Sequence, residues 1–267
     1  MKRFAIALVL LLGGTSAYTQ ELYVATEPAS NMPQNALGIR LTQEAVFSNG
    51  YRAKIIPEAM IGLSKNLMIH QSIFLNNMQQ SGFKANGGAF YAKYRFLSID
   101  STHSHFRGAV YAGYAAVNGV INAREISLDG DNTGWQGGVV FTQLLHKLAL
   151  SGSLSYTKAL NNKKGNLLPA DFGSESLGYT LSSGLLVYPK TYRNYRQTNV
   201  NVYLEFLGKS NLGKNEHVLD AAPALQFIIN SNFRIDVSQR VQLWSSMTRN
   251  QKNLLLLRLE YNLFNVL

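Results

Sequence analysis

FRIDVSQRVQLW, residues Phe233–Trp244, alternates oily and polar side chains almost without a break. Phe233, Ile235, Val237, Val241 and Leu243 share one parity; Arg234, Asp236, Ser238, Arg240 and Gln242 share the other. Successive side chains of a β-strand point to opposite faces, so the stretch reads as a strand with an apolar face and an ionic face. The same period recurs on both sides of it. Thr198–Phe206 sets Val200, Val202, Leu204 and Phe206 against Asn199, Asn201, Tyr203 and Glu205. Leu148–Tyr156 sets Leu148, Leu150, Leu154 and Tyr156 against Ala149, Ser151, Ser153 and Ser155. Asn253–Val266 sets Leu255, Leu257, Leu259, Tyr261 and Leu263 against Arg258, Glu260 and Asn262.

Weaker runs cover Leu37–Phe47, Arg52–Leu63, Leu67–Leu75, Ala89–Phe96, Phe106–Val117, Trp135–Leu144, Leu177–Val187 and Leu219–Ile229, which brings the total to twelve. Pro57 and Pro223 fall inside two of them, and each removes a ladder donor. No helical period competes over a long window. Among the connections, Ser48-Asn49-Gly50, Ser64-Lys65-Asn66, Leu145-His146-Lys147 and Asn230-Ser231-Asn232 are short. Asn76–Gly88, Asn118–Gly134, Asn161–Ser176 and Gly208–His217 are long. After the first hairpin, every second connection is longer than its neighbours. Tight turns at one rim and long loops at the other are the layout of an outer-membrane barrel.

Alternation alone does not say which face is inside, because a soluble sandwich gives the same stripes. Three features favour lipid outside. The runs are about ten residues long, the length of a tilted membrane strand, whereas globular strands average about five to six. Opposite charges lie close together on the polar face: Arg40 with Glu44, Lys54 with Glu58, Arg234 with Asp236 and Arg240, and Arg258 with Glu260. Aromatics gather near the run ends, at Tyr94, Phe96, Trp135, Tyr156, Tyr188, Tyr261 and Phe264, where headgroup girdles sit. The expected fold is therefore all-β: a transmembrane antiparallel up-and-down β-barrel of about twelve strands. A sheet in lipid must close on itself, so the last strand should pair with the first.

Composition agrees. Only 15% of the 267 residues are charged, against about a quarter in soluble chains, and there are 14 Tyr, 13 Phe and 22 Gly. The absence of Cys excludes disulfides, thiolate metal sites, a cysteine nucleophile and a lipoprotein anchor. Met1–Ala17, MKRFAIALVLLLGGTSA, has a basic start, nine apolar residues and a small-residue cleavage motif. That is a secretory signal peptide, too short to span a bilayer as a helix. Residues 1–20 are read as signal with cleavage between 17 and 20, 21–36 as an N-terminal periplasmic segment, and 37–267 as the barrel. The mature chain keeps 23 positive and 15 negative side chains, a net +8.

Seven stretches resemble a group of outer-membrane β-barrel proteins of Bacteroidota, described as transporters and related to barrels of phenol-degradation gene clusters. They are TEPASNMP (Thr26–Pro33), YAKYRF (Tyr91–Phe96), HSHFR (His103–Arg107), GDNTGW (Gly130–Trp135), TQLLHKLALS (Thr142–Ser151), QTNVNVYLEFLG (Gln197–Gly208) and RLEYNLFNVL (Arg258–Leu267). The resemblance implies an outer-membrane barrel and leaves the solute open. The chain departs from the usual barrel ending by closing on Leu267, with Phe264 three residues earlier, which weakens the signal read by the barrel-assembly machinery.

Sites of chemistry are sparse. His103 and His105, next to Asp100, share a strand face and offer two metal ligands, but no third is evident. Asp129-Gly130-Asp131-Asn132, in a loop expected to point outward, offers oxygens for Ca²⁺ but lacks EF-hand spacing, and these residue types favour turns by themselves. Neither is taken as a metal site. A barrel phospholipase would need a Ser/His constellation, and His70, His103, His105, His146 and His217 sit in none. No catalysis and no cofactor are expected. The basic residues are scattered, which argues against nucleic acid and points to outer-membrane lipid, lipopolysaccharide phosphates and small solutes as partners.

The lumen-lining set is Arg40, Lys54, Lys93, Arg95, Arg107, Arg234, Arg240 and Arg258, with the acids Glu44, Glu58, Glu205, Asp236 and Glu260, an excess of three positive charges. The expected function is a passive channel or transporter for small solutes, with a polar, weakly cationic lumen, in the outer membrane after Sec export. The alternative is a structural or adhesive surface barrel with an occluded lumen, whose long loops bind a partner.

Overall fold

The computed structural model describes residues 23–47, 50–78, 82–191 and 196–267; the signal peptide expected over residues 1–20 lies outside them. Twelve strands follow one another: β1 (Leu37–Val46), β2 (Arg52–Gly62), β3 (Leu67–Asn76), β4 (Lys84–Ser101), β5 (Ser104–Val117), β6 (Thr133–Leu145), β7 (Leu148–Leu160), β8 (Glu175–Tyr188), β9 (Asn199–Asn211), β10 (Glu216–Ile229), β11 (Phe233–Ser245) and β12 (Asn253–Leu263). Each pairs antiparallel with its sequence neighbours, and β12 pairs with β1 to close the barrel. Closure leaves no edge strand, the condition for a sheet to sit in hydrocarbon.

The faces are inverted relative to a globular sheet. Leu204, Val237 and Leu257 are 42%, 40% and 41% exposed, while Arg234 is 2% exposed. The oily parity of each strand points outward and the ionic parity points into the cylinder. An apolar belt runs through Ile39, Leu41, Ile73, Val110, Leu154, Leu181, Leu225 and Leu259, with Tyr94, Phe96, Trp135, Tyr188, Tyr261 and Phe264 exposed near its margins. A charge set into the middle of such a belt costs about 2–4 kcal/mol. Leu257→Lys should therefore lower the stability of the barrel in lipid vesicles by that amount, read as a fall in its urea unfolding midpoint.

Two features differ from the sequence expectation. Strand β4 has 18 residues, far beyond Ala89–Phe96, because Leu97–Ser101 breaks the two-residue period after a register shift between Arg95 and Leu97. The alternation of short and long connections fails once. The β8–β9 connection at the rim that carries both termini spans 189–198, whereas β9–β10 at the far rim is only 212–215. Sequence reading overestimated that far loop because β9 and β10 both extend past their apolar runs. The three-residue β10–β11 turn places Asn230 and Ser231 at φ 53° and 61°, the left-handed pair that a close turn demands.

Candidate functional site

Side chains of β2, β1, β12 and β11 line the interior around the closure seam as a ladder of alternating charge. Glu58, Arg40, Glu260 and Arg234 lie in register, one per strand. Arg40 is 3.3 Å from Glu58 and 2.8 Å from Glu260, and Arg234 is 3.4 Å from Glu260. Arg234 also binds Asp236 at 2.9 Å, and Asp236 faces Arg258 at 3.8 Å. Lys54 pairs with Glu44 opposite it at 3.1 Å. Apart from Arg234–Asp236, the partners are not those expected along each strand. Residues four apart on a strand are about 13 Å apart at 3.3 Å per residue, whereas residues directly opposite on neighbouring strands are about 5 Å apart.

Tyr23–Ala36, the described part of the segment expected at the periplasmic side, is folded back inside the barrel as a strap. Its main anchor is Glu205 on β9. The backbone N–H groups of Val24, Ala25 and Thr26 donate to the Glu205 carboxylate at 3.0, 2.7 and 2.9 Å, and the Thr26 hydroxyl donates at 2.7 Å. Lys93, on β4 and fully buried, donates from Nζ to the Pro28 and Ser30 carbonyls at 2.7 and 2.8 Å. Arg107 donates to the Ser30 hydroxyl at 2.7 Å, and Ala29 N–H to Thr142 at 2.9 Å. Glu27 joins the ladder, 3.1 Å from Arg40 and 3.6 Å from Lys93. Gly62 admits the strap, since a Cβ there would collide with the Pro33 carbonyl.

The loop between β5 and β6, residues 118–132, fills the other half. It was expected to point outward; it turns inward and buries Ile121, Ala123 and Ile126. Glu125 holds it, 2.6 Å from Arg249 and 3.3 Å from Lys209. Burial alone would push the Glu125 carboxyl up, but Lys209 and Arg249 outweigh it and lower it to about 2. A depressed carboxylate stabilises fully above its ordinary value of 4.5 and less as the pH falls towards 2. Protection factors for hydrogen exchange across this loop, with the intrinsic pH dependence of exchange divided out, should fall over that acid window and stay flat between pH 5 and about 8. The Asp129 carbonyl accepts from Lys54 Nζ, so an ammonium already occupies the side of this turn where a cation would approach. A polar cavity of about 20 Å³, room for one water, remains beside Glu44, Lys54, Asp131 and Arg240.

The remaining predicted residues are dispersed. Arg240 lies 3.6 Å from Asp220, and Arg258 donates to Thr42 at 3.0 Å. Arg95 reaches the β2–β3 turn, donating to the Lys65 carbonyl at 2.8 Å, away from the central ladder. His103 and His105 do not act together: His103 stacks on His146 at 4.7 Å, while His105 Nδ1 meets Asp100 at 2.6 Å. Among the described residues, no three His, Cys, Asp or Glu side chains come together in metal-holding geometry. Sequence reading missed Glu27, which lies outside any strand; His70, whose alternation with Met68, Ser72 and Phe74 suggests the interior or a rim, lies inside, 2.9 Å from Glu58. It also missed Asp220, whose signal was visible as an acid on the same parity as Gln226.

Fold and lumen together define a closed antiparallel barrel with a lipid-compatible exterior and an ionic interior. No family model and no curated protein sequence matches the chain. Among solved structures it is similar to the KdgM porin, at 11% identity over 84% of this chain and 98% of that one, with a TM-score of 0.45. It is also similar to the CymD monoaromatic hydrocarbon channel (9% identity, 88% and 90% covered, TM-score 0.41) and to a bacterial polysaccharide outer membrane secretin (8% identity, 87% and 99% covered, TM-score 0.39). The fold assignment rests on the strand ladder itself.

Proposed function

We propose that this protein is an outer-membrane channel for small polar solutes whose lumen is shut, in the state described, by its own N-terminal strap. The observation that carries the reading is the strap's attachment. It is held by hydrogen bonds and ion pairs to Glu205, Lys93 and Arg40, beside small apolar contacts of Tyr23, Val24, Ala29 and Met32 with the inner wall. Polar clamps of this kind exchange with water at modest net cost, about 0.5–1.5 kcal/mol per neutral hydrogen bond and more for charged ones. The interior also keeps buried polar groups without protein partners, including both amide atoms of Asn31, His70 Nε2 and the Tyr91 hydroxyl. Such groups suit a wetted passage.

The reading includes export through the Sec pathway, insertion by the barrel-assembly machinery and a position in the outer membrane, supported by the leader-like pattern of Met1–Ala17 and the apolar belt. The resemblance to Bacteroidota barrels supports the same placement. The far rim presents Lys84, Lys163, Lys164, Lys214 and Lys252 to solvent, a set suited to lipopolysaccharide phosphates. With Glu27 and Asp220 added to the interior acids, the expected cationic excess of the lumen shrinks, so solute choice rests on size more than on charge.

The second reading, an occluded barrel that presents its loops to a partner, is favoured by the inward 118–132 loop. Liposome swelling separates the two. The full chain should admit small sugars slowly, and a chain lacking residues 23–36 should admit them at least tenfold faster. Equal, negligible swelling of both would leave only the occluded barrel.

A further inference from the structure

We infer that the wall opens sideways at Pro223, and that this window takes the acyl chain of a fatty acid dissolved in the bilayer; the inference rests on the membrane placement above. Strands β10 and β11 pair from Ala221↔Val241 and again from Ala224↔Ser238 in unchanged register, but Ala222 and Pro223 are unpaired on that side. The ladder lapses for two residues and resumes without an inserted residue. Pro223 has no N–H to give to β11, although it pairs with Leu204 on its other side. The inward Ser238 hydroxyl caps the Pro223 carbonyl at 3.0 Å.

Pro57 makes the same interruption between β2 and β3, where the Ile56 and Pro57 pairs are missing. There the inward side is sealed by Phe74, packed with Ile56, Ala115 and Val117. At Pro223 the flanking inward residues are only Ala222 and Ala224, and an open groove of about 390 Å³ remains. That volume lies at the small end of the range for small-molecule sites. Its mouth is continuous with the belt through Val202, Leu225, Val237 and Leu255, and its floor is Tyr203 and Ala224.

What lies behind the floor argues for an apolar occupant. Here Ala224, Leu254 and Leu256 face inward and pack with Val24 of the strap and the Tyr203 ring. An oily track thus runs from the lipid face to the strap. Tyr203 is fixed by its hydroxyl on Gln226 at 3.0 Å and by edge-on contact with Tyr23 at 5.5 Å. Gln239 stands exposed at the mouth, opposite Pro223, and a polar side chain at mid-belt is costly enough to suggest use. It offers a hydrogen-bonding amide to the head of a chain that has turned inward.

The test is photolabelling of the full folded chain in phosphatidylcholine vesicles with a diazirine-bearing C12 fatty acid, read by peptide mass spectrometry. Labels on outward Val202, Leu225, Val237 and Leu255 report membrane placement and folding. Labels on inward Tyr203, Ala224, Leu254 and Val24 report the window. Both sets are expected. Pro223→Val, which restores the ladder donor, and Ala224→Phe, which fills the floor, should each cut inward labelling at least tenfold and leave outward labelling unchanged. Outward labels without inward ones would overturn the window while leaving the membrane reading intact. Inward labelling undiminished in both variants would overturn the assignment to Pro223. An absence of outward labels would overturn the membrane reading itself.

Discussion

Glu205→Ala should release the strap. The substitution removes the acceptor of three backbone N–H groups and the Thr26 hydroxyl, all from residues 24–26. Hydrogen bonds to a charged acceptor contribute about 1.5–3 kcal/mol each, and the freed N–H groups would be left in a crowded interior. A net loss of about 3 kcal/mol corresponds to roughly 100-fold in the strap's bound population. Amide exchange at Val24, Ala25 and Thr26 should rise by about that factor, and single-channel current in a planar bilayer should appear or grow. Glu205→Gln keeps one acceptor oxygen and should give a smaller rise. Unchanged exchange in Glu205→Ala would mean that the strap is held by Lys93 and Arg40 alone.

Asp236→Ala should damage the barrel itself. Asp236 is fully buried between Arg234 and Arg258, so its loss leaves the buried Arg234 and the partly buried Arg258 with only Glu260 and Thr42 between them. Breaking one partner out of a buried ion pair costs about 3–5 kcal/mol, because the other charge stays desolvated. The temperature at which the folded, fast-migrating gel band converts to the unfolded one should fall sharply. Replacing both partners, Arg234→Met with Asp236→Leu, should recover part of the loss, since Arg234 is then no longer stranded while Arg258 still lacks its carboxylate. A double variant no better than the single one would mean that the ladder contributes through geometry beyond charge pairing.

Strand order, closure and the outward turn of the oily parity were all legible in the sequence, because a period of two is a local property of each strand. Phe233–Trp244 and Asn253–Val266 carry that reading nearly residue by residue. Apart from Arg234–Asp236, which share one strand, ion-pair partners were not legible, because they depend on register. Arg40 meets Glu58 and Glu260 only because β1 sits between β2 and β12 at one particular stagger. The strap was invisible for a different reason: TEPASNMP has no period, and its side chains contribute less to its placement than the backbone N–H and carbonyl groups bound by Glu205 and Lys93. The inward loop likewise depends on Glu125 meeting Arg249, 124 positions later in the chain. Pro57 and Pro223 were recognised as ladder interruptions. What distinguishes them, Phe74 behind one and two alanines behind the other, is a fact of cross-strand packing.

Spin labels placed one at a time at Leu204, Val237, Leu257 and Ser238 in the vesicle-bound chain bear most directly on which face meets lipid. Collision rates with molecular oxygen, which concentrates in hydrocarbon, should be high at Leu204, Val237 and Leu257, and a water-soluble nickel chelate should scarcely reach them. Ser238, one residue from Val237 but on the enclosed parity, should be shielded from both reagents. Labels at Leu204, Val237 and Leu257 that were immobile and shielded, with Ser238 open to the chelate, would describe a soluble sheet with an oily centre and contradict the inverted barrel.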